Sequence, residues 1–384
     1  MKNPLYSAIL FLSIMLITSC SNRKKPLVYN KITDSIVDSF FVSGLEDLPE
    51  DFANFSMIND SICIALASRM RALCIFKESK QSRHFVLAQK EDDIKGIHSI
   101  ISFMKAYNTG SRNWRLILGD YAIHHSLSVY DQKLNLNKTN NIDYKFPHLS
   151  DNYSLVAETP FHPAYITGDT LVTGLTINNA SQFDNYYADD MFMRLLIKGD
   201  SISFINTFGK YAAGVRSFYP PIPSYAWGNN HVWIVYPGLD TIFSYNITTG
   251  TGEKIPIHNP DFVAPKKWTE PAHDDLNYFS KLSRYSNENF KYFGIIFDTH
   301  SRNLILWYQK PHKIKEQNGL LNTKGKGEWY IITMSLKGKI LRNYKIDEHT
   351  YFSFIFQTPK GLAIPRYQNN LTHEKTIHFD IFSL

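Results

Sequence analysis

Short runs of apolar residues, alternating or continuous, recur along most of the chain and are separated by turn residues. Between residues 231 and 257 the runs are HVWIVY, TIFSYNI and EKIPI, joined by PGLD and TTGTG and preceded by SYAW. Runs of this length and composition, bounded by Gly, Pro, Asn and Asp, are typical of β-strands joined by tight turns. The segment therefore predicts a four-stranded antiparallel sheet.

Comparable groups of runs lie at residues 52–89, 165–211 and 291–346, and residues 112–146 are β-rich but divide less cleanly. Four-stranded groups that repeat at roughly fifty residues are typical of a β-propeller. The last group, from residue 351, has three runs, and the run SIVDSFFVS at 35–43 is expected to pair with it and cover an exposed edge. The pattern predicts an all-β fold, a six-bladed β-propeller, with seven blades, a β-sandwich or two β-domains as alternatives.

Two segments interrupt the β pattern. Residues 91–107 and 274–290 carry apolar positions at helical rather than alternating spacing. They predict short helical insertions that do not form a core of their own.

A triplet of Asp, then Ser or Thr, then Ile or Leu occurs at several of the predicted turns. Asp favours turns because its side chain accepts hydrogen bonds from nearby backbone amides, and the residues after it begin a β-rich run. We interpret the triplet as the second corner of a hairpin. Its hydroxyl residues are Ser35, Ser61, Thr170, Ser201 and Thr241.

The first twenty residues predict an export signal that ends in a lipid attachment site. Lys2 precedes an apolar run at residues 5–17. A membrane-spanning helix needs about twenty apolar residues, so this run is too short to span and fits a signal peptide. The run ends in Ile-Thr-Ser-Cys, which resembles the lipobox of bacterial lipoproteins. This resemblance implies cleavage before Cys20 and acylation of its thiol and of the new amino terminus. An ordinary secretory signal with a chance cysteine is the alternative.

The chain is thus divided into a signal peptide at 1–19, a lipidated tether at 20–34 and the propeller at 35–384. Two or three acyl chains on one residue make membrane attachment effectively permanent. By the same resemblance, Ser21 stands where an Asp would retain a lipoprotein in the inner membrane, which implies the outer membrane and leaves the leaflet open. The membrane, reached through the lipid anchor, is one predicted partner.

The charge pattern argues against nucleic acid as a partner. The chain has 41 Lys and Arg and 35 Asp and Glu, a net charge of +6, and the basic residues are scattered. Nucleic-acid binding usually needs a concentrated basic face.

Two cysteines, Cys63 and Cys74, follow the lipobox and lack the clustered spacing of a zinc site. A hairpin that turns at residues 68–69 would place them opposite each other. In an oxidising envelope a disulfide could then form. Two buried free thiols are an equal alternative.

No standard catalytic motif occurs, and the sequence predicts neither a metal site nor a cofactor. Adjacent strand residues point to opposite faces, so the histidine pair 124–125 does not suit one metal. Residues 273–275 open the second predicted helix, where Asp is an ordinary first-turn residue, and the acidic pair 189–190 lacks the spaced oxygen ligands of a calcium loop. Chemistry is therefore not assigned to any residue.

Together, the Cys20 lipobox and the repeated four-stranded groups resemble the TolB-like six-bladed propeller lipoproteins of gut Gram-negative anaerobes. The resemblance covers nearly the whole chain through its organisation, and the family, a domain of unknown function, implies no catalytic residues. The Asp–Ser/Thr–aliphatic triplet also resembles the O-glycosylation acceptor motif of those bacteria. Candidate glycosylation sites are Ser35, Ser61, Thr170, Ser201 and Thr241.

Aromatic residues make up 14% of the chain, and most are expected to pack between blades. The segment FYPPIPSYAWGNN at 218–230 is stiffened by proline and contains Tyr219, Tyr225 and Trp227. Rigid exposed aromatic rings suit stacking on sugars or anchoring a protein partner, so we predict a ligand-binding site here. The alternative is that Trp227 lies on an innermost strand and belongs to the core.

These observations predict a lipid-anchored envelope propeller that binds a glycan or an envelope protein without catalysis. One alternative is a carbohydrate-active enzyme, a hydrolase or lyase on a propeller scaffold. Another is a structural subunit of an envelope complex. The fold class alone does not distinguish them.

Replacement of Cys20 by Ser tests the anchor. Because the thiol is the predicted acylation site, Cys20→Ser should abolish labelling by a fatty-acid probe and release the protein from membranes. A variant that still labels and still fractionates with membranes would contradict the lipobox interpretation.

Overall fold

A computed structural model describes residues 28–43, 52–59, 61–67, 72–79, 84–91, 94–98, 101–109, 113–120, 126–142, 153–155, 159, 161–177, 190–210, 223–268, 276–312, 316–317, 320–321, 328–346, 355–365 and 376–384. In these residues the regular structure is almost entirely β, and the strands form small sheets in a propeller-like arrangement. The all-β prediction is confirmed.

The strands follow one another in groups, which we call units. The N-terminal segment has β1 (Asn30–Lys31), a 3-10 turn (Ile32–Ser35) and β2 (Ile36–Ser43). The first unit has β3 (Phe52–Asn59), β4 (Ile62–Ala67), β5 (Ala72–Glu78) and β6 (His84–Glu91). The second unit has β7 (Ile101–Asn108), β8 (Trp114–Asp120), β9 (Ser126–Tyr130) and β10 (Leu136–Asn141).

The third unit has β11 (Tyr153–Leu155), β12 (Tyr165–Thr167), β13 (Thr170–Ile177), β14 (Asp190–Lys198) and β15 (Ser201–Lys210). The fourth unit has β16 (Ser224–Gly228), β17 (His231–Val235), β18 (Thr241–Asn246) and β19 (Gly252–Pro256), and the helix α1 (Leu276–Glu288) follows. The fifth unit has β20 (Lys291–Asp298), β21 (Asn303–Gln309), β24 (Trp329–Met334) and β25 (Ile340–Ile346), with a short ribbon, β22 (Glu316–Gln317) and β23 (Leu320–Leu321), between β21 and β24. The terminal unit has β26 (Phe356–Thr358), β27 (Gly361–Pro365) and β28 (Thr376–Phe382).

Within a unit, strands that are neighbours in sequence pair antiparallel, as in β16–β17–β18–β19. The third unit departs from this because β11 and β12 both pair with β13. The fifth unit gains β1, which lies parallel to β25 at its edge.

The N-terminal strand β2 joins the two ends of the chain. It pairs antiparallel with β28, placing Phe40 opposite Phe379, and parallel with β6, placing Val42 opposite Phe85. The predicted pairing of residues 35–43 with the terminal unit is therefore confirmed. The parallel pairing with the first unit was not predicted, and it joins the two units in one eight-stranded sheet of the described residues.

The apolar core lies between the sheets of neighbouring units. The strands β9, β16 and β27 are buried along their whole length. A strand that is covered on both faces is buried without alternation, whereas alternating burial indicates one solvated face. In the edge strand β10 the burial is sparse, because only its inner side meets a neighbour.

Two glycines allow aromatic rings of adjacent segments to approach the backbone closely. A Cβ at Gly228 would lie 2.1 Å from the ring of Phe297, and a Cβ at Gly294 would lie 2.1 Å from the ring of Phe161. No side chain fits at such distances. Each glycine therefore fixes the spacing between one inner strand and the ring that covers it.

The helical prediction is wrong for residues 91–107. Here β6 ends at Glu91, a turn follows, and β7 begins at Ile101. Ile94, Ile97 and Ile101 are buried at the spacing of a helix face, but they enter one apolar cluster from a turn and a strand start. The spacing of these three isoleucines matches one face of a helix, but the contacts that bury them include side chains of the first unit.

The helical prediction for 274–290 is confirmed by α1 (Leu276–Glu288). No helix in the described part of the chain is long and apolar enough to cross a bilayer.

Four of the five Asp–Ser/Thr–aliphatic triplets lie between paired antiparallel strands, as the hairpin prediction requires, whereas the triplet at Ser35 follows a 3-10 turn whose flanking strands β1 and β2 do not pair with each other. In three of the five triplets the hydroxyl residue itself begins the strand, at Thr170, Ser201 and Thr241. In the other two the aliphatic residue begins it, at Ile36 and Ile62. Turn chemistry accounts for the repetition.

The two cysteines do not face each other directly. Cys63 lies opposite Phe76 and Cys74 opposite Ala65, because the register of β4 and β5 pairs Ala67 with Ala72. Both cysteines are buried, and neither belongs to a disulfide in the described structure. Burial raises the pKa of the Cys63 thiol to about 12.

Adjacent phenylalanines on β2 test the role of this strand. The Phe40 ring is 5% exposed and stacks on Phe379 at 5.0 Å, whereas Phe41 is 43% exposed. Phe40→Ala should lower the free energy of unfolding by about 3–5 kcal/mol, because it leaves a cavity between the terminal and first units. Phe41→Ala, the matched control, should cost about 1 kcal/mol or less. Urea denaturation measures both, and equal losses would contradict the packing role of Phe40.

Candidate functional site

A central cavity of about 280 Å³ is lined by residues from every unit in the described part of the chain. Its wall is built mainly from the first strands of the units. Each unit contributes at least one side chain, and a representative set is Met57, Lys105, Tyr165, Trp227, Phe297 and Gln357. A site of this kind exists only when all the units are in place.

The aromatic part of the wall is rigidly held. Trp227 stacks on Tyr165 with the ring centroids 6.3 Å apart and the planes 13° from parallel. Its indole N–H donates a hydrogen bond to the Pro163 carbonyl, and its other edge meets the ring of Phe192 at 4.9 Å. The indole is therefore fixed in orientation from two sides while part of it faces the cavity.

The polar part of the wall consists of hydroxyl, amide and ammonium groups. Gln357 donates from its Nε2 to the Phe297 carbonyl at 3.2 Å, and this leaves its buried Oε1 without a hydrogen-bond partner in the described structure. Lys105 and Thr299 also line the cavity. A buried acceptor that lacks a partner costs free energy. A donor group on a ligand would supply one.

A histidine behind the wall is neutral. The Nε2 of His162 donates to the Pro223 carbonyl at 2.9 Å, and its Nδ1 accepts from the hydroxyl of Thr159, a lining residue, at 3.0 Å. Desolvation lowers the pKa of His162 to about 4, against the opposing effect of the Pro223 carbonyl. The imidazole therefore orients Thr159 without adding a charge.

The predicted binding segment at 218–230 needs correction. The sequence predicts Tyr225 and Trp227 as exposed rings, but both lie on β16 and are 3% and 6% exposed, which agrees with the alternative that Trp227 lies on an innermost strand. The strand begins at Ser224, directly after the prolines, so the segment that follows them packs between the third and fourth units. Trp227 nevertheless lines the cavity, whereas Tyr219 and Cys20, the predicted lipid attachment site, lie outside the described residues.

Sequence reasoning missed Met57, Lys105 and Gln357 as lining residues. None of them belongs to a local motif, and their runs lie far apart in the sequence. The signal that they share is a position on the first strand of a unit, and it becomes informative only when the strand pairing is known.

The candidate glycosylation positions differ in accessibility. Ser61 is exposed in the turn between β3 and β4, while Thr170, Ser201 and Thr241 are partly buried. The Ser201 hydroxyl accepts from the ammonium of Lys138 at 2.8 Å, and the Ser35 hydroxyl donates to the Tyr344 hydroxyl at 3.3 Å. Glycosylation at all five positions stays a prediction, for which Ser61 is the most accessible.

The described structure brings no candidate metal ligands together. Among the described residues no group of three or more His, Cys, Asp or Glu side chains could hold a metal ion. Asp190, from the acidic pair, instead binds Lys210 at 2.7 Å and accepts from the Thr207 hydroxyl at 2.6 Å. The residues 124–125, 189 and 273–275 lie outside the described part.

Neither a protein-family model nor a curated protein matches the sequence. Solved structures match the fold. A member of the DUF4221 family from Bacteroides vulgatus is 13% identical with a TM-score of 0.57, over 90% of this chain and 96% of that chain. A Bacteroides fragilis protein whose name marks it as one predicted to be exported is also 13% identical, with a TM-score of 0.50, over 93% of this chain and 98% of that chain. At such identities the likeness shows the fold alone.

The pH dependence of stability tests the state of His162. Its folded pKa of about 4 lies below the ordinary value of 6.5, so between these pH values the unfolded chain binds a proton that the folded protein does not. The stabilisation is present above pH 6.5 and falls with the pH, by about 2 kcal/mol from pH 7 to pH 5. His162→Gln should remove that part of the loss in urea denaturation, and His300→Gln, on an exposed turn, should not. Identical pH profiles for the wild type and His162→Gln would contradict a neutral, desolvated imidazole.

Proposed function

We propose that the protein is a lipid-anchored, six-bladed propeller of the cell envelope that binds a ligand in its central cavity without catalysis. The observation that carries this proposal is the wall of the cavity, to which each unit contributes. The five units and the terminal unit, completed by β2, are the six blades of this proposal. A ligand placed on the axis would meet all of them.

The chemistry of the wall favours a saccharide end or a similarly flat, hydroxylated group. Ligand sites are mostly apolar and aromatic, with a few polar groups that fix orientation. Trp227 and Tyr165 supply the aromatic surface, and Lys105, Thr299 and Gln357 supply hydrogen-bonding groups. The volume of about 280 Å³ suits one or two sugar rings rather than a long chain.

The envelope location is supported by two independent features. The Ile-Thr-Ser-Cys sequence that ends at Cys20 has the residues of a lipobox. The fold is shared with the Bacteroides fragilis protein whose name marks it as one predicted to be exported. We therefore propose an outer-membrane lipoprotein similar to the TolB-like propellers.

The enzymatic alternative needs more than the cavity offers in its described wall. Glycoside hydrolysis usually uses two carboxylates a few ångströms apart. The polar lining groups here are hydroxyls, amides and the Lys105 ammonium, which suit recognition. A structural subunit of an envelope complex is the remaining alternative, in which a partner side chain would fill the same cavity.

Calorimetric titration with a panel of oligosaccharides and polysaccharides tests binding. Lys105→Met keeps the length of the side chain and removes its charge, so it should weaken binding by about tenfold or more while the melting temperature is retained. Lys133→Met, on an exposed turn of the same unit, is the matched control and should bind as the wild type does.

Product analysis of the same mixtures distinguishes binding from catalysis. Unchanged glycans support the proposal. New reducing ends or unsaturated sugars would establish the enzymatic alternative instead, and equal affinities of the Lys105→Met and Lys133→Met variants would place the ligand outside the cavity.

A further inference from the structure

A short basic segment on the side of the fourth and fifth units has no role in the cavity. We call residues 261–268, with the sequence DFVAPKKW, the basic loop. Val263 is 60% exposed, and Lys266 and Lys267 are both exposed at its end. An exposed apolar residue beside two exposed ammonium groups is suited to an anionic, partly apolar surface.

The basic loop is rigidly held. The backbone N–H of Lys266 donates to Asn289 Oδ1 at 2.9 Å, and its carbonyl accepts from the Tyr285 hydroxyl at 2.5 Å. The Trp268 ring lies 5.0 Å from the Tyr285 ring, which belongs to α1. The exposed lysines therefore occupy a defined place on the surface.

The N-terminal end of the described chain is fastened to this same loop. Tyr29 donates to the carboxylate of Asp261, which also accepts from Tyr308 at 2.7 Å. The Lys310 ammonium lies 2.9 Å from the Tyr29 hydroxyl and 3.1 Å from Asp261. The Tyr29 ring packs 4.9 Å from that of Tyr330. Asp261 stands two residues before Val263, so the chain enters the fold beside the basic loop.

The length of the preceding chain limits the distance from this point to the membrane. Val28, directly before Tyr29, is 80% exposed. Seven residues lie between it and Cys20, and the eight Cα-to-Cα steps from Cys20 to Val28 reach at most about 29 Å when fully extended. A compact chain of this size has a radius of gyration of about 20 Å, so its far side would lie beyond that reach. A lipid on Cys20 keeps the Tyr29 side of the protein nearest the bilayer.

We propose that the basic loop is the surface that faces the membrane, with Lys266 and Lys267 contacting the phosphates of anionic lipid headgroups and Val263 at the boundary of the apolar layer. The inference rests on the lipid anchor of the proposed function for its geometry. The contacts of Tyr29 with Asp261 and Lys310 join the anchored end of the chain to the loop that meets the lipid.

The same orientation directs the cavity away from the lipid. The strand β20 begins on the loop side, where the Tyr292 ring lies 6.3 Å from that of Phe262, and it ends beside Thr299, a lining residue. The turn that contains His300 therefore lies at the far end of this strand from the basic loop, and His300 is exposed.

Fluorescence quenching on vesicles tests the orientation. The lipidated chain is placed in phosphatidylglycerol–phosphatidylethanolamine vesicles with a nitroxide on the headgroups, and a fluorophore is attached to Val263→Cys or, as control, His300→Cys. Cys63 and Cys74 are buried, so labelling selects the new cysteine. The fluorophore at 263 should be quenched about twofold or more, and the fluorophore at 300 almost not at all. The eight-residue strand β20 separates the loop side of the protein from the turn that contains His300 by roughly 26 Å. Equal quenching, or stronger quenching at 300, would overturn the proposal.

Charge reversal tests the lipid contact without the anchor. The processed chain, residues 20–384, carrying Cys20→Ser is sedimented with phosphatidylglycerol vesicles at low salt. When Lys266→Glu and Lys267→Glu are added to this variant, the association constant for the vesicles should fall by about tenfold or more. The control pair Lys133→Glu and Lys198→Glu, on exposed positions of the second and third units, changes the net charge equally and should have little effect.

The two experiments test the lipid-binding surface at Lys266 and Lys267 separately from the lipid anchor at Cys20. Absence of a fatty-acid label on Cys20 would refute the anchor, and the sedimentation result would then decide the surface alone. Binding that depends on Lys266 and Lys267 supports the proposed surface. Absence of binding, equal loss in both charge pairs, or equal binding to neutral phosphatidylcholine vesicles overturns it.

Discussion

The strand β2 connects the first and last parts of the chain in one sheet, and the geometry of the central cavity depends on this pairing. Its backbone bonds antiparallel to β28 and parallel to β6, and Phe40 fills the space between their side chains. The backbone N–H of Ser383 also donates to the carbonyl of Ser35 at 2.9 Å, and Lys360 binds Asp38 at 2.7 Å. Met57 and Gln357, from the first and terminal units, line the same cavity because these contacts fix the distance between their strands.

Between the other units, aromatic rings set much of the spacing, beside isolated backbone hydrogen bonds such as that from the Tyr225 N–H to the Phe161 carbonyl at 2.9 Å. Phe297 lies against Gly228 and stacks on Trp233 at 5.0 Å, so the fourth and fifth units meet through one ring that also faces the cavity. Dense packing transmits small volume changes, which makes a wall of this kind rigid. A rigid wall suits a binding site, because a ligand then loses little free energy in ordering the protein.

The two ends of the first strands have different roles in this arrangement. At one end of β20, tyrosines and carboxylates form a buried polar network in which Tyr292 donates to Asp240 at 2.6 Å and Tyr308 donates to Asp261. Low local dielectric strengthens such networks, and burial raises the pKa of the Tyr292 and Tyr308 hydroxyls. This network fastens the N-terminal segment to the fifth unit. At the other end of the strand the side chains enclose the cavity, so the proposed attachment to the membrane and the proposed ligand site lie apart.

The amino-acid sequence by itself determined the strands, most of their turns, the helix α1 and the pairing of residues 35–43 with the end of the chain. These features depend on local dihedral preferences and on the alternation of apolar residues, which are readable within a few positions. Tertiary structure decided the rest. It buried Tyr225 and Trp227, shifted Cys63 to face Phe76, and turned the helical spacing of Ile94, Ile97 and Ile101 into a turn and a strand start. It also brought Lys105, Trp227 and Gln357 to one cavity. Which face of a strand is covered, and by which distant ring, depends on the neighbouring units, and no short stretch of sequence contains that information.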